Sequence, residues 1–381
     1  MIKKVISIII VLFVALASYS PFVHAVDIKV SAKSAVLMDA DSGKVIYAKN
    51  ENEKLPMAST TKIMTALITL EKASLANKTV TITDQMVKVE GSSMGLRSGY
   101  KLTLKDLAIG MLTVSGNDAA NSAAIAISGS TDAFAVLMNQ RAQELKLTNT
   151  HFVTPSGLDS TEHYSTAADM ARLGAAAIKN ADFASIACQK QIKVKFISPD
   201  QTFYFSNHNR LLSLYPSCIG IKTGFTKKSG RCLVSAAEKN GVRLVAVTLD
   251  APDDWNDHER LYNYGFTQLT ACKVDDSDEQ ITVPVVGGTV DSVTVFGSKA
   301  DNIVINTADA TNIQRTVELP RFVYAPVKNN QKLGVIRYSL NGETLASVAL
   351  TAAANVQCPP VQKNTIQKIF DAMKGFFGIK T

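Results

Sequence analysis

The residues best placed for covalent chemistry are Ser59 and Lys62, in the run Pro56-Met57-Ala58-Ser59-Thr60-Thr61-Lys62-Ile63-Met64. Residues i and i+3 share one helical face, so a helix starting here brings the Lys62 amine to the Ser59 hydroxyl. A hydroxyl is a weak nucleophile until a base takes its proton. An amine can be that base once burial or a second cation lowers its pKa enough to populate the neutral form. Ile63, Met64, Leu67 and Leu70 recur behind the pair at helical spacing, which buries that stripe and leaves the first turn facing a cleft. The free N–H groups of such a turn favour a developing alkoxide or oxyanion. Spacing alone does not decide the matter. Ser98-Gly99-Tyr100-Lys101 has the same spacing, but Gly95 and Gly99 mark a turn there. An N-cap serine beside a solvated lysine would also have this local sequence.

Two further polar groups could complete the pair: Ser115-Gly116-Asn117, and Lys222-Thr223-Gly224. Ser339-Leu340-Asn341 and Lys228-Ser229-Gly230 imitate them, so context must separate them. Ser115-Gly116-Asn117 falls in a break between two helical patterns, at residues 103–111 and 119–127, so that Ser115 and Asn117 project from a connection. Lys222-Thr223-Gly224 ends an apolar strand and precedes another beginning at Arg231. The imitators lie in a C-terminal loop and a turn.

Ser-x-x-Lys, then Ser-x-Asn, then Lys-Thr-Gly resembles the three-part signature of penicillin-binding proteins and serine β-lactamases. With the surrounding Gly91-Ser92-Ser93-Met94, Asp118-Ala119-Ala120, Ser156-Gly157-Leu158 and Gly220-Ile221, the chain resembles the low-molecular-mass penicillin-binding proteins, the serine-type D-alanyl-D-alanine carboxypeptidases. The resemblance covers residues 30–266, and the C-terminal β-rich region and terminal stretch fit the family's layout. It implies that Ser59 attacks the penultimate D-Ala carbonyl of a peptidoglycan stem peptide with Lys62 as base, forming an acyl-enzyme that water hydrolyses. It implies that Ser115 passes a proton to the leaving amine and Asn117 bonds the substrate backbone. Lys222 and Thr223 would meet the terminal carboxylate, with Lys222 also depressing the Lys62 pKa. Gly224 would let the strand approach, and the N–H groups of Ser59 and Phe225 would form the oxyanion hole. β-Lactams would acylate Ser59 as substrate mimics. One departure stands out: family members often carry an arginine after the penultimate strand to grip the carboxylate, whereas this chain has Asp250-Ala251-Pro252-Asp253-Asp254-Trp255.

The elements that must position these groups suggest a mixed α/β (α+β) architecture. Residues 34–39 and 44–48 read as a hairpin around Asp41-Ser42-Gly43. Helices are expected over 131–145, 165–179 and 255–270, and strands over 194–197, 201–205, 220–223, 231–236 and 243–249. Strands at both ends with helices between suggest an antiparallel sheet flanked by helices, a β-lactamase/transpeptidase-like domain over 26–274. An acidic run, Asp275-Asp276-Ser277-Asp278-Glu279, marks a boundary. Short strands separated by Gly, Asn and Asp suggest a small β-sandwich-like domain over 275–360. Ile366, Ile369, Phe370, Met373, Phe376 and Phe377 fall on one side of a terminal stretch, so 361–381 reads either as an amphipathic helix lying on a membrane or as one packed on the protein.

Lys3-Lys4, an apolar run over 5–17 and Val23-His24-Ala25 have the form of a secretory signal peptide cut after Ala25, which places the protein at the outer face of the cytoplasmic membrane. The net charge of +7 becomes +5 once Lys3 and Lys4 leave (7 − 2). This charge suits an anionic surface, and no basic stripe interleaved with aromatics suggests nucleic acid. Five cysteines with no Cys-x-x-Cys pair argue against a disulfide scaffold; Cys218 and Cys232 either face each other across paired strands or are free thiols. No cofactor or metal is expected. Two rivals remain. A class A β-lactamase needs a glutamate to activate water, for which Glu162 is the available residue, and a non-catalytic wall-binding protein would have no need of an intact Ser59, Lys62, Ser115 and Lys222.

Overall fold

The computed structural model describes residues 28–360 together with Ile369. The expected leader, and the expected terminal helix apart from Ile369, lie outside them. Strands β1 (Ser34–Asp39) and β2 (Val45–Lys49) form the hairpin, with Gly43 at φ +74° in its turn. They join β3 (Cys218–Thr226), β4 (Gly230–Lys239) and β5 (Val242–Leu249) in an antiparallel sheet of order β2-β1-β5-β4-β3. The two ends of the domain therefore meet, with Val36 opposite Val247. Alternation divides each central strand between two cores. Val36, Met38, Val234, Ala236, Val245 and Val247 face one apolar cluster, while Ala35, Leu37, Ala237, Leu244 and Ala246 face the other. Strands buried on both faces read as unbroken apolar runs, which is why β5 is legible in the sequence.

The larger cluster is supplied by α1 (Lys62–Leu75), α2 (Leu104–Thr113), α3 (Asn117–Ser128), α4 (Thr131–Glu144) and α5 (Ala167–Lys179). The opposite face is covered by α6 (Asp254–Gln268). Start signals hold: Thr103 and Asp106 form a capping box on α2, and the Thr166 side chain accepts from Asp169 N–H at the head of α5. Val114, Ser115 and Gly116 make the break and Asn117 opens α3, so the helix starts two residues before the expected Ala119.

Two expected strands do not join the main sheet. Gln191–Lys195 and Thr202–Ser206 pair only with each other. Val194 and Phe205 are buried while Lys193 and Lys195 are exposed, and a strand with one polar face does not fit a sheet covered on both sides. A short helix, Ala181–Ala187, is also absent from the sequence expectation.

The second unit begins where α6 runs straight into Leu269–Cys272, which pairs with Ile303–Asn306. A six-stranded sheet comes next, made of Gln280–Val286, Ser292–Phe296, Gln314–Glu318, Val323–Tyr324, Lys332–Leu340 and Glu343–Ala352. Lys332–Leu340 is unexpected because Gly334 interrupts it, yet a Cβ there would sit 2.5 Å from Glu318 O. The acidic run is built in rather than solvated throughout: Asp276 is buried and accepts from Arg315 (3.0 and 2.9 Å) and the Tyr338 hydroxyl (2.9 Å). Cys218 lies opposite Ala237 and Cys232 opposite Gly224, so these thiols do not face each other, and all five cysteines are free. Among the described residues no helix is long and apolar enough to cross a membrane.

Asp257 on α6 ties the start of the domain to its end. Its buried carboxylate accepts from Ser31 N–H (2.9 Å), the Ser31 hydroxyl (2.7 Å) and Ala32 N–H (3.1 Å). Asp257→Ala leaves these donors unpaired and is expected to lower the unfolding free energy by about 2–4 kcal/mol, read as a lower urea midpoint at unchanged m. An unchanged midpoint would show that the clamp contributes nothing to stability.

Candidate active site

The chain enters α1 through a 3₁₀ turn, Ala58–Thr61, that packs against the free edge of β3. Ser59 sits in this turn and Lys62 opens the helix, and the Lys62 amine lies 2.9 Å from Ser59 Oγ. Lys62 is fully buried, and its other partner is the Ser156 carbonyl at 2.6 Å. A carbonyl only accepts. A neutral amine that gives one N–H to Ser156 therefore keeps its lone pair available to the Ser59 proton. Burial first, and the Lys222 charge second, hold the Lys62 pKa well below the usual lysine value, with Asp118 pulling the other way. The geometry is that of a hydroxyl with a built-in base.

Ser156 is brought there by the tight turn of Ser156-Gly157-Leu158. Gly157 has φ +83°, and a Cβ on it would fall 2.1 Å from Ala58 O. Behind Lys62, Thr61 Oγ1 meets His163 Nε2 at 2.8 Å, while Val153 N–H donates to His163 Nδ1 at 2.9 Å. The ring therefore accepts at Nδ1 and donates from Nε2. Burial lowers its pKa to about 4, so it stays neutral.

From β3, Lys222 is buried, and its amine donates to Thr223 O at 2.8 Å. Burial lowers its pKa to about 7. Lys222 and Gly224 face the turn, whereas Thr223 and Phe225 face the open cleft. Gly224 makes the approach possible, since a Cβ there would lie 3.0 Å from Met57 O and from the amide nitrogens of Ser59 and Thr60. Phe225 is largely exposed beside it.

Ser115 occupies the break between α2 and α3 at φ +60°, a conformation a serine rarely adopts, and is nearly buried. Asn117 follows two residues later, at the first position of α3. Its Nδ2 donates to Glu90 O at 2.6 Å, while its Oδ1 is buried with no hydrogen-bond partner among the described residues. The Gly91-Ser92-Ser93-Met94 segment is pinned over this corner by Asp118, whose buried carboxylate accepts from Met94 N–H (2.8 Å), Leu96 N–H (3.0 Å) and the Ser93 hydroxyl (2.6 Å).

These segments enclose a cavity of about 370 Å³ whose wall includes Ser59, Ser92, Ser115, Thr223, Gly224 and Phe225. Lys62, Asn117 and Lys222 stand behind the wall and act on it from the interior. His208, Arg210, Arg231, Asp254 and Trp255 line the same cavity. Of the eight residues expected from the sequence, five line the cavity and three support them. Sequence reasoning misses the Ser156 carbonyl, His163, the clamp role of Asp118 and the polar residues His208, Arg210, Arg231 and Asp254 in the cavity wall. Glu162 is exposed and does not line the cavity.

Residues 21–253 match the family model described as D-alanyl-D-alanine carboxypeptidase, and residues 272–357 match that of the penicillin-binding protein 5 C-terminal domain. D-alanyl-D-alanine carboxypeptidase DacF of Bacillus subtilis is 32% identical over 336 residues, 86% of each chain. DacC of Escherichia coli is 34% identical over 347 residues, covering 86% of this chain and 85% of that one. Among solved structures, penicillin binding protein 5 from Haemophilus influenzae superposes with a TM-score of 0.63 at 29% identity, covering 86% of this chain and 98% of that chain.

The electrostatics yield a pH test. A base must be neutral to take a proton, so acylation of the Ser59 hydroxyl by an activated ester should rise with pH through the Lys62 pKa. Lys222→Met removes one of the two effects that disfavour the Lys62 ammonium. The Lys62 pKa then rises, and the ascending limb of the rate profile is expected to move to higher pH. A limb that stays in place would show that burial alone sets the base.

Proposed function

This chain belongs to the D-alanyl-D-alanine carboxypeptidase family, and on that premise we propose that it is a serine carboxypeptidase acting on peptidoglycan stem pentapeptides through an acyl-enzyme at Ser59. The observation that carries this reading is the 2.9 Å contact between Ser59 Oγ and a buried Lys62 amine that has no carboxylate partner. Lys62 takes the Ser59 proton as Oγ bonds to the carbonyl carbon of the penultimate D-Ala. The amide C–N bond then breaks, and Ser115 delivers its proton to the departing D-Ala nitrogen while the Lys62 ammonium returns a proton to Ser115, leaving both groups as they began. Water cleaves the resulting ester, releasing the shortened peptide and returning the proton to Ser59. Lys222 and Thr223 attract the terminal carboxylate. Gly224 holds the strand against the turn, so the N–H groups of Ser59 and Phe225 can serve as oxyanion donors. Asn117 supports the substrate-binding wall. β-Lactams acylate the same serine. Removing the last D-Ala limits cross-linking of the wall. An active-site Glu162, which a class A β-lactamase reading requires, has no support from its exposed position.

Purified residues 26–381 are expected to release D-Ala from a peptide ending in D-Ala-D-Ala and to be labelled by fluorescent penicillin. Ser59→Ala is expected to lose labelling and at least about a thousandfold in kcat, the order seen when an activated nucleophile is removed. Equal labelling in the variant would rule Ser59 out.

Export and membrane attachment belong to the same proposal and rest on sequence alone: the leader pattern at 1–25 and the one-sided apolar face at 361–381. Deleting residues 361–381 is expected to shift the protein from the membrane to the soluble fraction while leaving turnover of a soluble peptide within about twofold. Continued sedimentation with membranes would defeat the anchor.

A further inference from the structure

We propose that Arg231, held by Asp254 and Trp255, supplies the guanidinium that grips the substrate's terminal carboxylate, an inference that rests on the carboxypeptidase reading above. The stretch Asp250-Ala251-Pro252-Asp253-Asp254-Trp255 contains no arginine of its own. In the structure, however, Arg231, Asp254 and Trp255 line the same cavity as Ser59 and Thr223.

Arg231 is the second residue of β4 and lies opposite Phe225, the residue after Gly224. Its backbone is thus fixed one strand in from the edge that the substrate would line. The side chain is 41% exposed, while that of its partner Asp254 is only 3% exposed. Nε and Nη2 both donate to Asp254 Oδ1, at 3.0 and 2.7 Å, and Cζ stands 5.3 Å from the Trp255 ring centroid. Trp255 N–H donates to the same oxygen at 2.9 Å, which fixes the carboxylate in turn. Nη1 makes no hydrogen bond among the described residues. One edge of the guanidinium is therefore anchored and another is left for an incoming carboxylate, the planar recognition to which arginine is suited.

Arg210 is the competing arginine in the cavity wall. It is exposed at the start of a four-residue helix, and its side chain has no ion pair or hydrogen bond among the described residues. Binding through Arg210 would freeze a free side chain, whereas Arg231 is already ordered. The acid-aromatic pair thus aims an arginine of the neighbouring strand. Asp254 and Trp255 are positioning residues; Arg231 is the group that would touch the substrate.

The test compares kcat/KM for an N-acylated peptide ending in D-Ala-D-Ala with a free carboxylate against that for the same peptide ending in the primary amide. Wild type is expected to favour the acid by more than about tenfold, and Arg231→Ala to lose roughly 10- to 100-fold of that ratio. Arg231→Lys keeps the charge without the fork and should recover only part, while Arg210→Ala should stay within about twofold of wild type. Equal loss on both peptides in Arg231→Ala and Arg231→Lys, no wild-type preference, or a ratio that falls in Arg210→Ala instead would each overturn the assignment. Should wild type cleave neither peptide, the carboxypeptidase reading fails. The ratio is then taken from Ser59 acylation by benzylpenicillin and by its methyl ester, which judges Arg231 separately by the same criteria.

Discussion

A lysine amine buried against a serine hydroxyl without a carboxylate beside it is the constraint around which this molecule is arranged. An ammonium in that position is costly, and the cost falls if the proton leaves. Lys62 is fully buried and held between Ser59 Oγ and the Ser156 carbonyl. Neither neighbour can neutralise a positive charge. The second cation, Lys222, raises the cost further, and Asp118 offsets it only in part. Charges that would be poorly placed in an inert core thereby produce a base of unusually low pKa, which the proposed mechanism uses.

Holding that pair requires segments far apart in sequence to approach more closely than ordinary side chains permit. Gly157 lets the Ser156 carbonyl reach over the turn, and Gly224 lets β3 lie against the amides of Ser59 and Thr60. Gly116 permits a third approach, where a Cβ would fall 2.9 Å from Met94 N. Each glycine sits inside a motif beside a polar group that matters. The motifs combine a functional side chain with the absence of one next to it, because backbone proximity is needed as much as the functional group.

The domain behind the site shows why such closeness can be sustained. Its sheet is covered on both faces, and Asp257 fastens the residues before β1 to α6, so the edge strand β3 belongs to a body closed on itself. At the other end α6 passes directly into the pairing of Leu269–Cys272 with Ile303–Asn306. The second unit is attached through that pairing rather than through a loose acidic linker, with Asp276 folded into its own interior by Arg315 and Tyr338.

By itself the sequence determined the existence of the site and most of the elements around it. Ser59, Lys62, Ser115 and Lys222 stand out because order and local context separate them from imitators such as Ser98 and Lys101, and helix caps and apolar runs are local signals. Only the tertiary structure decided what depends on long-range approach. The carbonyl of Ser156 has no side-chain signature, His163 matters through a contact with Thr61 across the fold, and the strands around Val194 and Phe205 left the main sheet because of what covers its faces. The same limit applies to Arg231, whose bond to Asp254 spans 23 positions. In the sequence Asp250 to Trp255 reads as the loss of an arginine, because the strand register that brings a different arginine to that carboxylate is set by pairing across the sheet and by nothing in the local sequence.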